Sequence, residues 1–318
     1  MDVWFLSHLL ISGFTGSYPP RRTACQLDGT KLPEYWDWVA EHSFHLRQRS
    51  SSITDIYYRK LILTLINQLG SGCWKRILKL DAYNEATNTQ YGLYLVKDGG
   101  ELILVDISLG IAMKALVKAA EKGLSHSVHL IVADFRMMPL RPECVDMSCS
   151  FGSIEHVPEY NLAFYEQVRV VREGGEVFVG VPNLLNFSLR ALSAKMLHIM
   201  GLMKKMTNPE RHFVGSQLIS LAKSLNLANI YFTGYHLFPK QLRWLDLWME
   251  YRGVDKLKRS RLFRWLLKAF TLMELRYPFA RIFAEMIIVK GVKRWGRDTG
   301  QRSSPGEAIG IGQRPRST

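Results

Sequence analysis

Short apolar runs of strand length recur through the middle of the chain, separated by stretches with helical spacing. Residues 76–82 (RILKLDA), 101–107 (ELILVDI), 128–135 (VHLIVADF), 145–151 (VDMSCSF) and 176–181 (EVFVGV) form the runs. Residues 110–122 and 159–172 between them carry apolar positions three and four apart. Runs without strict apolar–polar alternation belong to strands covered on both faces, and their alternation with helices predicts a parallel sheet. Residues 229–237 (NIYFTGYHL) and 283–292 read as two further strands. The pattern therefore predicts an α/β fold: a doubly wound, mostly parallel seven-stranded sheet.

Ahead of the sheet, Pro33 opens a predicted helix over residues 33–49, where a first-turn proline costs no intrahelical hydrogen bond. A second helix is expected over residues 55–69, stopped by Gly70 and Gly72. Residues 17–31 have loop chemistry, and the apolar stretch 3–14 reads as a terminal helix or a start extension. Residues 240–252 and 256–274 are apolar and basic at helical spacing, with Leu242, Leu245 and Trp248, then Leu262, Trp265, Leu266 and Ala269. A Met-rich stretch, 189–206, reads as another lid helix. The resulting division is an N-terminal extension and helix (1–53), a core (54–239), a basic amphipathic helical lid (240–276), a last core strand (277–295) and a Gly/Ser/Arg-rich tail (296–318) expected to be disordered.

Composition changes this picture in two places. The chain's 47% hydrophobic content excludes wholesale disorder. Its net charge of +14 is uneven: residues 1–239 hold 24 basic and 21 acidic side chains, whereas 240–294 hold 14 and 5. One late segment is thus a basic patch on a nearly neutral body. Four cysteines without paired or metal-ligand spacing suggest a reducing compartment, the cytoplasm, and no metal site.

Ligands in open parallel sheets bind at the carboxyl ends of strands, so the residues there carry the candidate chemistry. Asp106 ends the second run, where a carboxylate can accept hydrogen bonds from both ribose hydroxyls. Asp134 ends the third, within reach of an adenine amine, and Asp81 ends the first. The motifs VDIS (105–108), AD...MPL (133–140), VDMSCSFGSIEHV (145–157) and RVVREGGEVFVGVPN (169–183) follow in order. This order resembles the class I S-adenosylmethionine-dependent methyltransferases, with their Rossmann-like fold, over roughly residues 75–185.

The resemblance implies S-adenosylmethionine as cofactor, Asp106 with Ile107 at the ribose, and Asp134 with Phe135 at the adenine. It further implies Asp81, Asn84 and Glu85 at the amino-acid end, with Ser150 and Phe151 beside the cofactor. The glycine-rich first loop of the family is missing: LDAYNEATNTQYG has no glycine between Gly72 and Gly92. Glycines there permit positive φ and close backbone approach, so polar side chains must substitute or the site is lost. His156 follows the fourth run and titrates near neutrality, which makes it the candidate base.

The implied reaction is methyl transfer to a small-molecule, glycan or lipid-like acceptor. Basic residues interleaved with Trp and Phe in the lid suit peripheral membrane contact, and they fit nucleic acid less well because no RNA-binding module accompanies them. The alternatives are an inactive methyltransferase-like scaffold holding a partner through the lid, and an RNA methyltransferase.

Overall fold

The computed structural model of the protein describes residues 32–42, 52–186, 211–254 and 259–294. The apolar run 3–14, the 189–206 helix and the C-terminal tail expected from sequence lie outside the described residues. Helix α1 (Leu32–His42) buries Leu32, Tyr35 and Ala40. Helix α2 (Ile53–Leu69) begins in a capping box, with the Ser52 hydroxyl accepting from the Asp55 amide and the Asp55 carboxylate accepting from the Ser52 amide. That reciprocal pairing satisfies two amides that a helix start leaves open.

The sheet follows with β1 (Arg76–Leu80), β2 (Glu101–Asp106), β3 (Val128–Val132), β4 (Val145–Phe151), β5 (Val171–Pro182), β6 (Leu227–Tyr235) and β7 (Met286–Lys293). Their spatial order is β3-β2-β1-β4-β5-β7-β6. The first five strands pair in parallel, while β7 lies antiparallel between β5 and β6. The strand order reverses between β1 and β4, which makes their carboxyl ends the topological switch point. This is the seven-stranded, mostly parallel sheet that the apolar runs predict.

Two apolar layers cover it. Helices α2 and α5 (Leu109–Glu121) pack on one face, with Leu61, Leu65, Ile111 and Ala115 against Ile77, Leu102 and Leu104. Helices α6 (Tyr160–Val170) and α7 (Gly215–Ser224) pack on the other, with Phe164, Val168 and Leu218 against Leu78, Val105 and Val177. The helix expected over 159–172 stops earlier, because Val171 leaves it to pair with Val145 and starts β5. The loop after β1 holds two short helices, α3 (Tyr83–Ala86) and α4 (Tyr91–Leu95), which apolar spacing alone does not reveal.

Between β6 and β7 run α8 (Lys240–Tyr251), α9 (Arg261–Arg276) and a 3-10 turn (Pro278–Phe283). Helix α9 buries Phe263 and Leu267, and the Phe263 and Phe270 rings meet Phe238 edge-on. Apolar spacing puts Leu262 and Trp265 on the packed face, yet they are 66% and 62% exposed. The packed stripe is instead the one through Phe263, Leu267, Phe270 and Glu274.

Candidate cofactor site

Strand β1 ends in Asp81, whose φ of +58° lies in the left-handed region. Aspartate enters that region more readily than most residues because its side chain can bond the local backbone. Here Asp81 Oδ1 accepts from the Tyr83 amide at 3.1 Å, and Oδ2 accepts from the Ser153 hydroxyl. Asp81 thus makes the sharp turn after β1 with its own carboxylate.

A residue that sequence reading passed over stands beneath it. Lys79 is fully buried, and its ammonium donates to Asp81 Oδ1 at 3.0 Å and to the Asp81 carbonyl at 2.8 Å. It also lies 2.9 Å from Glu85 Oε2 and 5.1 Å from the centroid of the Tyr91 ring. Burial works against its charge, but Asp81 and Glu85 outweigh burial and hold its pKa above the ordinary lysine value. The signal in the sequence is a single lysine inside the apolar strand RILKL.

Glu85 is turned inward and fully buried, accepting from the Gly92 amide at 3.0 Å. Burial raises its pKa, with Lys79 opposing. Its expected place at the amino-acid end of a cofactor is therefore replaced by a structural pairing with Lys79. One cation, Lys79, thus faces two carboxylates at the end of β1.

At the end of β2, Asp106 is 5% exposed and accepts from the Ala82 amide at 2.7 Å and the Ser108 amide at 2.8 Å. Burial pushes its pKa up to about 7, against the pull of those two amides. Each carboxylate oxygen can accept more than one hydrogen bond, so acceptor capacity is left over. Ile107 packs against Leu32 and Tyr35 of α1. Asp134, after β3, is gripped by the Arg136 guanidinium, which donates to both its oxygens at 2.6–3.0 Å and also reaches Glu159 at 2.5 Å. Phe135 is half-buried in the apolar layer of α6 and α7.

Ser150 does not join this group. Its buried hydroxyl accepts from Gln167 Nε2 at 3.2 Å on the α6 face of the sheet, where strand alternation sends it. Phe151, one residue on, lies on the other face with its ring edge-on to Tyr91 and Tyr235 at 5.2 and 5.8 Å. Its carbonyl accepts from Asn84 Nδ2 at 3.5 Å. Gly152 follows at φ +89° and turns the chain into the Ile154–His156 3-10 helix. The half-buried His156 ring meets Trp36 edge-on at 5.5 Å. The strand ends thus gather Asp81, Asn84, Asp106, Phe151 and His156, whereas Glu85 and Ser150 serve the interior.

Helix α1 spans this gathering. Asp37 Oδ1 accepts from the Ser108 hydroxyl at 2.5 Å and the Gly110 amide at 3.2 Å, just after β2. Trp36 reaches His156, after β4. Because β1 lies between β2 and β4, α1 crosses over the carboxyl end of β1.

The sheet is seven-stranded and doubly wound with acidic residues at its switch point, and known proteins share parts of this chain's sequence and its fold. Residues 87–179 match the family model described as methyltransferase domain. The chain is 28% identical over 127 residues to a ubiquinone/menaquinone biosynthesis C-methyltransferase of Pseudomonas aeruginosa, which is 37% of this chain and 48% of that protein. It therefore spans about half the length of the curated relatives it matches.

Among solved structures, the [4+2]-cyclase SpnF superposes with a TM-score of 0.54 at 15% identity, over 88% of this chain and all of that one. Phosphoethanolamine N-methyltransferase 2 of Haemonchus contortus, in complex with phosphomonomethylethanolamine and S-adenosylhomocysteine, gives 0.51 at 14% identity over 83% and 59%. At these identities the likeness is one of fold. The methyltransferase-domain match over residues 87–179 and the shared fold agree with the resemblance to the class I S-adenosylmethionine-dependent methyltransferases.

Proposed function

We propose that the protein transfers a methyl group from S-adenosylmethionine to a small, lipid-like acceptor at the carboxyl ends of β1, β2 and β4. The observation that carries this reading is the Asp106 carboxylate, nearly buried beside the switch point with acceptor capacity to spare. The residues fit the cofactor in charge. The carboxylates of Asp81 and Glu85 outnumber the Lys79 cation, opposite a ligand end whose ammonium and sulfonium outnumber its one carboxylate. Asp106 would hold the ribose hydroxyls, Asp81 and Asn84 the amino-acid end, and the loop of Asp134 the adenine, with Arg136 fixing its carboxylate.

When bound, S-adenosylmethionine supplies an electrophilic methyl carbon on sulfonium sulfur. The protein's own task is alignment and exclusion of water. Helix α1 and the Trp36–His156 contact wall off the strand ends, and His156 stands where it can take a proton from an acceptor. The lipid-like character of the acceptor is supported by the curated relatives, which are named for ubiquinone and menaquinone biosynthesis.

Calorimetric titration with S-adenosylmethionine and with S-adenosylhomocysteine tests the reading. Saturable binding of both is expected, weakened at least tenfold by Asp106→Ala in a protein of unchanged circular dichroism. Absence of binding by the folded wild type would overturn it. That result would favour a second reading, a non-catalytic scaffold. Its specific support is the closure of the first loop, whose Ala82 amide already occupies Asp106 and whose Asp81 is paired to Lys79.

A further inference from the structure

The basic segment 240–294 divides in two once its side chains are placed. Arg243 is turned inward onto Asp55 at 2.9 Å and over the Tyr58 ring at 4.3 Å. Lys290 pairs with Glu176 at 2.9 Å, Lys293 donates to the Val171 carbonyl at 2.8 Å, and Arg281 is buried against the Glu274 carbonyl. These cations hold the fold together. Arg261, Arg264, Lys268 and Arg276 of α9 face solvent.

Interleaved with them on the same outward arc are Leu262, Trp265 and Leu272, at 66%, 62% and 66% exposed. The one acid of α9, Glu274, is buried against Tyr57 and the Leu237 amide. The outward face therefore carries cations and apolar groups and no anion. The 3-10 turn that follows continues it with exposed Phe279, Ile282 and Phe283.

We infer that this face is a docking surface for an anionic phospholipid bilayer. Charge complementarity selects the occupant: an acid-free arc of four cations fits an anionic surface. The apolar groups select a bilayer over a nucleic acid, since leucine and isoleucine gain nothing beside phosphates but are dehydrated at the acyl boundary. Long basic side chains reach the headgroups while their stems stay among apolar neighbours. No helix among the described residues is long and apolar enough to cross the bilayer.

Placement gives the surface a use. Asn183, just past β5, donates from Nδ2 to the carbonyls of Ile282 and Ala284 at 2.7 and 2.8 Å. The apolar turn is thereby tied to the carboxyl end of the sheet, the same end as Asp106 and His156. A docked molecule holds the carboxyl end of its sheet near the membrane, from which a lipid-like acceptor enters. This last consequence rests on the proposed methyl transfer, whereas the docking does not.

Cosedimentation of the full chain with vesicles of equimolar phosphatidylglycerol and phosphatidylcholine tests the surface, with pure phosphatidylcholine as the comparison. Binding to the anionic vesicles is expected, falling with added salt. Each cation near an anionic surface is worth about a fivefold change in partitioning, so Arg261→Gln/Arg264→Gln/Lys268→Gln together weaken it about a hundredfold. Leu272→Glu/Phe279→Glu abolishes it while calorimetric binding of S-adenosylhomocysteine is unchanged. The surface is disproved by failure to bind anionic vesicles, or by retained binding in the Leu272/Phe279 variant. Displacement from vesicles by single-stranded RNA with equal affinity would also overturn it, in favour of a nucleic-acid face.

Discussion

A carboxylate whose pKa is raised by burial makes a definite statement about pH. The ordinary aspartate value is near 4, and in the folded protein Asp106 titrates at about 7. The stability linked to its proton is fully present below the ordinary value and is lost as pH rises through about 7. On the proposed ribose role ligand binding runs the other way, because the charged form is the better acceptor for two hydroxyls. Cofactor affinity is expected to rise between pH 6 and 8 with a bend near 7, and to lose that bend in Asp106→Asn. A wild-type affinity flat across this range would remove Asp106 from the ribose. Asp106 was legible in sequence because it ends an apolar run. Lys79 was not, since a lysine in the middle of a strand reads as an exposed edge until its two carboxylate partners are seen to lie one turn ahead. Ser150 and Phe151 were equally strand-end residues by position, and only the phase of β4 sends the hydroxyl to the α6 face and the ring to the other, against Tyr91 and Tyr235.

Among the elements, the strands were the most legible, because apolar runs bounded by loop chemistry correspond directly to buried parallel strands. The loop after β1 was the least. Its composition signalled a missing glycine turn, and the solution, aspartate at positive φ with its own carboxylate closing the turn, is a backbone fact that composition does not carry. The role of α1 was also hidden, since an amphipathic N-terminal helix does not declare which loops it crosses. Held by Asp37 on one side of β1 and Trp36 on the other, α1 lies beside the strand ends where the proposed cofactor binds. Amide exchange in residues 32–42 is therefore expected to slow at least tenfold when S-adenosylhomocysteine is added, and Trp36→Ala should erase much of that protection. Unchanged exchange on saturation with ligand would mean that α1 does not close over the site.

Among the described residues, the segment between β6 and β7 is fastened to the sheet and to α2. The fastening is polar as well as apolar: Asp246 of α8, 2% exposed, accepts from the Thr54 amide at 2.9 Å and its hydroxyl at 2.7 Å. These are open donors at the start of α2, where a negative charge is favoured by the helix dipole. Removing the carboxylate leaves the Thr54 amide buried and unpaired, a loss of about 1–3 kcal/mol. It also leaves Arg243, which donates to the Thr54 hydroxyl and to Asp55, with one fewer anion nearby. Asp246→Ala is therefore expected to lower the unfolding free energy from urea denaturation by that amount, seen as a lower midpoint at an unchanged m-value. The segment shares the apolar layer of Phe238, Phe263 and Leu267 with the sheet, so unfolding should remain a single transition. Two resolved transitions, with the first sensitive to Asp246, would instead make α8 and α9 an independently melting cap. Vesicle docking and cofactor binding would then be separable by mild denaturant, docking lost first.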